Sequence, residues 1–289
     1  MSPNTMTTNL RIGVPSKGRL AEIAAELLKD AGLSFRRQDR SLFARCREMP
    51  IDVTFLRTED IPVLCAEGAI DMGITGSDLV AESEAKVVDR LDLHMGQCRL
   101  AICVPDDSPI ERPGQLQGAR IATSFPNVTR SFLASHDAQV RLVELSGSVE
   151  VMIALGVADA IVDLVETGST LAANRLRILE TIGNYETILI QNAERRHAEV
   201  ADRVVRRLQG VVIARSYSLL EYNVLRSKLS EAEKITPGFN SPTVSGLEDS
   251  QWCAVRVMVK RGDVITIMEQ LETLGASAIL ETHILNCRL

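Results

Sequence analysis

Aromatic side chains make up only 3% of the 289 residues. That scarcity excludes a stacking platform for single-stranded nucleic acid, which is built from rows of such rings. An excess of positive charge is also missing. Lys and Arg number 32 against 38 Asp and Glu, a formal net charge of −6, so a general nucleic-acid surface is not expected, whereas a small anionic ligand needs only a local cluster of donors. No stretch reaches about 18 uncharged apolar residues, and MSPNTMTTNLRIGVPSKG has neither the basic start nor the apolar run of a secretory signal. The expectation is a cytoplasmic protein with no membrane partner. The cysteines, Cys46, Cys65, Cys98, Cys103, Cys253 and Cys287, contain no CxxC pair, and His94, His136, His197 and His283 stand singly. Both patterns argue against a zinc site, a disulfide framework and a Ser-His-Asp triad.

What is present is ordinary for a folded protein: 45% hydrophobic and 24% charged residues, over a length greater than one typical domain of roughly 100–200 residues. Strand-like runs LRIGVP (10–15), MPIDVTFLR (49–57), IDMGIT (70–75), RLAICVP (99–105), ARIATS (119–124), DAIVDLV (159–165) and YETILIQN (185–192) alternate with helical patterns. This alternation predicts an α/β fold with mainly parallel sheets. Thr58 is placed to cap the helix over 58–69 and Ser148 the helix over 148–158. The arginine-rich helix over 193–217 reads as a solvated face. From 217 onward the order is strand, helix, strand, strand, helix, strand, the ferredoxin-like βαββαβ unit, which suits a regulatory or assembly role.

Residues 71–79 and 163–171 both obey D-x-x-x-T-G-S-x-L, each after an apolar strand and before a helix. The repeat suggests two lobes of similar build with a cleft between them. A strand ending in Thr-Gly-Ser at a helix start gathers unpaired N–H groups, hydroxyl donors and the positive end of the helix dipole, which together form a phosphate cradle. In the second copy Asp163 stands in an otherwise apolar strand and Glu150 lies in the helix before it. Carboxylates would repel a bare phosphate, so they are assigned to ribose hydroxyls or to Mg²⁺ held through water. Gly76 and Ser77 of the first copy, Lys17, Gly18 and Arg19 between the first strand and helix, and Arg99 are candidates for neutralising pyrophosphate or further phosphates.

The string SVEVMIALGVADAIVDLVETGSTL (148–171) closely resembles the signature of the ATP phosphoribosyltransferase family. VPSKGRL (14–20), DMGITGSDLV (71–80), GQCRLAICVP (96–105) and RIATSFPNVTRSFL (120–133) resemble further segments of that family in the same order. ITPGFNSPTVSGL (235–247) and GASAIL (275–280) resemble the C-terminal domain of its long form. The resemblance implies two α/β lobes like those of periplasmic binding proteins, with 1–100 and 185–216 as lobe I, 101–184 as lobe II, and 217–289 as a histidine-binding regulatory domain. It implies condensation of ATP with 5-phosphoribosyl 1-pyrophosphate to N1-(5-phosphoribosyl)-ATP and pyrophosphate, the first committed step of L-histidine biosynthesis, inhibited by histidine. It further implies a homo-oligomer, dimer to hexamer, and Mg²⁺ carried on the substrate phosphates with no protein ligand assigned. Glu166, Thr167, Gly168, Ser169 and Thr170 fall on the 5-phosphate loop, Glu150 and Asp163 on the ribose side, and Lys17 to Arg19 near the pyrophosphate or ATP phosphates. Asn223, Thr243 and Ala278 fall near the histidine pocket, with an acidic residue common in the family at the first of them. A non-catalytic two-lobed small-molecule sensor is the alternative.

Overall fold

In the computed structural model, which describes residues 9–37 and 41–288, the opening run LRIGVP forms β1 (Leu10–Pro15), buried on both faces as a central strand of an α/β sheet should be. The chain continues through α1 (Arg19–Asp30), β2 (Phe43–Arg45), β3 (Ile51–Leu56), α2 (Ile61–Ala66), β4 (Met72–Gly76), α3 (Ser77–Ser83) and β5 (Val87–Asp92). After these come β6 (Cys98–Pro105), β7 (Arg120–Thr123), α4 (Pro126–Ala134), β8 (Arg141–Glu144), α5 (Val151–Ala154), β9 (Ala160–Val165), α6 (Ser169–Ala173), β10 (Leu176–Tyr185) and β11 (Thr187–Asn192). The last part holds α7 (Ala198–Ser216), β12 (Tyr217–Leu225), α8 (Leu229–Ile235), β13 (Thr243–Gly246), β14 (Trp252–Lys260), α9 (Val264–Leu274) and β15 (Ser277–His283). The described residues fall into two compact units, one within Met1–Ala25 and Ser34–Ala201, the other within Glu26–Leu33 and Asp202–Leu289.

The first unit contains two sheets, ordered β2-β3-β1-β4-β11-β5 and β10-β6-β9-β7-β8. Strand–helix alternation predicts mainly parallel sheets, but both are mixed. Only β3-β1-β4 and β9-β7-β8 run parallel, and the remaining pairs are antiparallel. The reason is a double crossing. The chain leaves the first sheet after β5, builds the second, and returns between β10 and β11, so the returning strand lies reversed between β4 and β5. Each sheet with its helices is one α/β lobe, with its own apolar core around Ile61, Ile70 and Ile190 or around Leu100, Ile121 and Val162.

Two capping expectations fail. Ser148 has φ +52 and lies outside the helix, which is reduced to α5 with Glu150 at its N-cap position and no side-chain cap bond. Thr58 opens a short 3₁₀ turn capped by Arg57 without a side-chain bond, and its carbonyl instead accepts the Thr75 hydroxyl at 3.3 Å.

The second unit includes a four-stranded antiparallel sheet, β13-β14-β12-β15, in the expected βαββαβ order. One face buries Leu220, Tyr222, Val224, Val255 and Val257 with Ala232 of α8 and Leu271 of α9. The unit begins within α7, and two of the arginines read as a solvated face are anchored there. Arg215 pairs with Asp30 at 2.7 Å, and Arg207 donates to the Gly32 carbonyl at 3.0 Å.

Candidate active site

The second copy of the repeat builds one wall of a cavity. β9 is largely buried, and the chain turns at its end through Glu166 and Thr167 into α6, with Gly168 in the left-handed region at φ +80. The Thr167 and Ser169 hydroxyls lie 3.1 Å apart. Ala172 is the first residue of the turn to donate to a backbone carbonyl at helical spacing, that of Gly168 at 3.1 Å. Ahead of it the Ser169 amide donates to the Thr167 hydroxyl at 3.5 Å, and this helix start lines a cavity of about 740 Å³. That cavity brings the loop Glu166–Thr170 together with Glu150, Asp163, Lys17, Gly18, Arg19 and Gly76.

Asp163 accepts the Leu164 amide at 2.8 Å. Burial, reinforced by the negative charge of Glu150, raises its carboxyl above the ordinary range. Asp159, four residues earlier, has a different role. It pairs with Arg120 at 2.7 Å, which lowers its pKa, and it joins two strand ends outside the cavity. From the other lobe Arg19 reaches Glu166 at 2.8 Å, with both side chains more than half exposed. Such a pair is worth about 0–1 kcal/mol, so an arriving phosphate can displace the carboxylate from Arg19.

The first copy of the repeat is built differently. The Ser77 amide donates to the Glu186 carbonyl at 2.9 Å, and the Ser77 hydroxyl accepts the Glu186 amide at 3.1 Å. The next position, Thr170 in the second copy, is here Asp78, whose carboxylate accepts its own amide and that of Leu79. A side chain on Gly76 would collide with that carboxylate. The amides at this helix start are therefore occupied, and the loop acts as a structural corner facing the cavity. Ser77 and Arg99 line a second cavity of about 690 Å³, which shares Cys98, Val165, Glu166 and Glu186 with the first.

Sequence reasoning missed Asp78, Thr58, Cys98 and Glu186 among the lining residues. Only Asp78 left a signal, as a carboxylate directly after Thr-Gly-Ser where the second copy has Thr170. Cys98 is a free thiol pushed up to about 11 by burial, with Asp78 and Glu166 adding to the effect. It is therefore a protonated, inert group at neutral pH.

A second clasp joins the lobes. Glu82 of α3 accepts the amides of Asn127 and Val128 at the start of α4, at 2.9 to 3.1 Å, and its carbonyl accepts the Asn127 side-chain amide at 3.0 Å. Among the described residues no group of three or more His, Cys, Asp and Glu is arranged to hold a metal ion, and no helix is long and apolar enough to cross a membrane.

In the second unit Asn223 sits on β12 opposite Ala254 and Ser277, on the face away from the helices. Thr243 and Ala278 lie on the two edge strands, β13 and β15, on either side of β14 and β12. Strand spacing of about 4.8 Å sets them roughly 14 Å apart, so a single chain does not bring the three together.

Carboxylates beside an open helix start in one cavity of a two-lobed frame are features suited to a phosphoribosyl transfer enzyme. The profile described as HisG, ATP phosphoribosyltransferase, matches residues 57–210, and that of the HisG C-terminal domain matches residues 214–286. The chain belongs to the ATP phosphoribosyltransferase family. It is 67% identical over 280 residues to the ATP phosphoribosyltransferase of Rhodopirellula baltica, covering 97% of this chain and 94% of that protein. It is 41% identical over 281 residues to that of Saccharopolyspora erythraea, covering 97% and 100%. Among solved structures, a chain of the ATP phosphoribosyl transferase (HisG:HisZ) complex from Thermotoga maritima is 32% identical with a TM-score of 0.64, covering 71% of this chain and 98% of that one. The protein is a transferase of the first step of histidine biosynthesis, and the sensor reading is not favoured.

Proposed function

We propose that the 740 Å³ cavity condenses ATP with 5-phosphoribosyl 1-pyrophosphate, joining C1 of the ribose to N1 of adenine and releasing pyrophosphate. The observation that carries this reading is one cavity combining the loop Glu166–Thr170, where the amides of Gly168 and Thr170 meet no backbone carbonyl among the described residues, with the Glu150 and Asp163 carboxylates and with Lys17 and Arg19. The loop Glu166–Thr170 holds the 5-phosphate through N–H groups and hydroxyls. Glu150 and Asp163 accept from the ribose hydroxyls. Lys17 and Arg19 stabilise the negative charge that grows on departing pyrophosphate, with Gly18 letting their loop turn at the cavity mouth. Arg99 lines the neighbouring cavity, where it can meet the remaining ATP phosphates.

The reaction needs no protein nucleophile, because N1 of adenine attacks directly. The lobes contribute by holding the two substrates in line and excluding water as they close. The carboxylates of Glu150 and Asp163 suit Mg²⁺ whose direct ligands are substrate oxygens and water. Carried on the substrate phosphates, Mg²⁺ would neutralise their charge, and Glu150 and Asp163, accepting from the ribose hydroxyls, could meet it only through water.

We assign 1–100 with 185–216 to lobe I, 101–184 to lobe II, and 217–289 to a unit that binds histidine as feedback inhibitor. Separation of Thr243 and Ala278 on opposite sheet edges favours a pocket completed by another copy of the chain, in keeping with a homo-oligomer, dimer to hexamer, in the cytoplasm. Incubation with ATP, phosphoribosyl pyrophosphate and Mg²⁺ tests the catalytic reading. Pyrophosphate must exceed both single-substrate controls. Deleting residues 217–289 is expected to abolish the response to histidine, and a truncated enzyme still inhibited by histidine would refute the regulatory assignment.

A further inference from the structure

One charged group of the cavity has no task in this scheme. Asp78 is 7% exposed, lines the cavity, and has no cationic partner among the described residues. The two amides it accepts come from its own helix turn. A buried carboxylate left without a counter-charge is costly, and burial holds this carboxyl above the usual range. The other charges close by, Glu82 and Glu166, are of the same sign, and the neighbouring Cys98 thiol and Tyr185 hydroxyl are held protonated by burial beside it. The cavity's cations lie elsewhere, Arg19 on Glu166 at 2.8 Å, and among the described residues no salt bridge reaches Asp78.

Neither substrate can bring a phosphate to this wall, because phosphate and carboxylate repel. The ribose hydroxyls are taken by Glu150 and Asp163 in the reading above, on which this inference rests. What remains is the 6-amino edge of adenine, the donor-bearing end of the nucleophile. We propose that Asp78 receives that edge and stabilises the positive charge that develops on the purine as N1 is alkylated. The N1 lone pair forms the N1–C1 bond while the C1–O bond breaks, its electron pair leaving on pyrophosphate. The purine is then cationic over N1 and N6. Asp78 accepts a hydrogen bond from the N6 amino group and takes its proton, leaving a neutral N6-imino product. The proton returns to water when the product departs. Burial raises the affinity of Asp78 for a proton, which favours this transfer.

A carboxylate that merely caps α3 predicts a different pattern from one that reads the amino edge. The test compares Asp78→Asn, and Asp78→Ser as a second variant that keeps a helix cap, on ATP and on purine riboside triphosphate, which carries hydrogen at position 6. The expected loss in kcat/KM on ATP is about 100-fold, the size found for removal of one transition-state charge partner. The expected loss on the 6-hydrogen analogue is less than about 3-fold for the same variants. KM for phosphoribosyl pyrophosphate stays at the wild-type value. Equal losses on both nucleotides, or no loss on ATP, overturn the proposal while leaving the reaction assignment intact. Absence of wild-type pyrophosphate release from ATP removes the reaction assignment and this inference together.

Discussion

Replacing Gly168 by alanine isolates the backbone of the phosphate loop from its packing. The residue sits at φ +80, and a Cβ built there meets no atom within 4 Å. The added methyl group therefore costs nothing by collision, and the whole penalty is the left-handed backbone, about 1–2 kcal/mol for an L-residue. Without substrate the exposed loop relaxes away from that conformation at little cost to the fold. With phosphate bound it must return to it. The penalty then falls on binding: at 1.4 kcal/mol per tenfold, KM for phosphoribosyl pyrophosphate should rise about 5–30-fold. The thermal unfolding midpoint should move by less than about 2 °C. Gly168→Val, β-branched, should show the larger loss. Steady-state rates at varied phosphoribosyl pyrophosphate and saturating ATP read the effect. Gly156→Ala is the control, because that glycine is left-handed at φ +68 with open space around it but lies outside the cavity. A KM within twofold of wild type for Gly168→Ala, or an equal rise for Gly156→Ala, would refute the loop's assigned role.

Asp163→Asn should separate activity from stability. Because burial raises the folded-state pKa of Asp163, the native chain binds its proton more tightly than the unfolded chain. Its ionisation therefore costs stability as pH rises from 3.8 through the raised folded value, and the cost is complete above that value. The variant should unfold at or above the wild-type temperature at pH 7, with the gain fading below the ordinary value of 3.8, while pyrophosphate release drops strongly; a less stable variant at neutral pH would contradict this sign. Removing the inter-lobe clasp with Glu82→Ala should cost about 1 kcal/mol, the usual worth of a lost helix cap. Hydrogen exchange of the Asn127 and Val128 amides should speed up about fivefold, and unchanged exchange at both would show that the clasp does not form in solution.

Most of the architecture was legible because its signals are local. LRIGVP, AIVDLV and WCAVRVMVK are apolar runs bounded by turns, and the βαββαβ order from 217 follows from alternating periods. The elements that escaped are those whose pattern is compromised by position. VVDRLD forms β5 at a sheet edge and is half exposed, so its polar residues mask the strand. LRILETIGNY forms β10 with two register breaks, which destroy the period of two. The mixed sheets could not be read either, since the double crossing of the chain is a tertiary fact. The site was legible where backbone chemistry dictates residue type, as in Thr167-Gly168-Ser169. The equivalence of the two repeats was misleading at Thr75-Gly76-Ser77, where a single carboxylate, Asp78, turns an apparent cradle into a closed corner. Thr58, Cys98 and Glu186 enter the cavity only because strands and crossings bring them there.

The most direct test of the central claim is to follow ATP labelled with ¹⁵N at N1 during incubation with phosphoribosyl pyrophosphate and Mg²⁺. The account predicts one pyrophosphate released per ATP consumed, a product heavier by one phosphoribosyl group, and a displaced N1 resonance that shows the new bond to carbon. Pyrophosphate no higher than in the single-substrate controls, or a product with its N1 resonance unmoved, would contradict it.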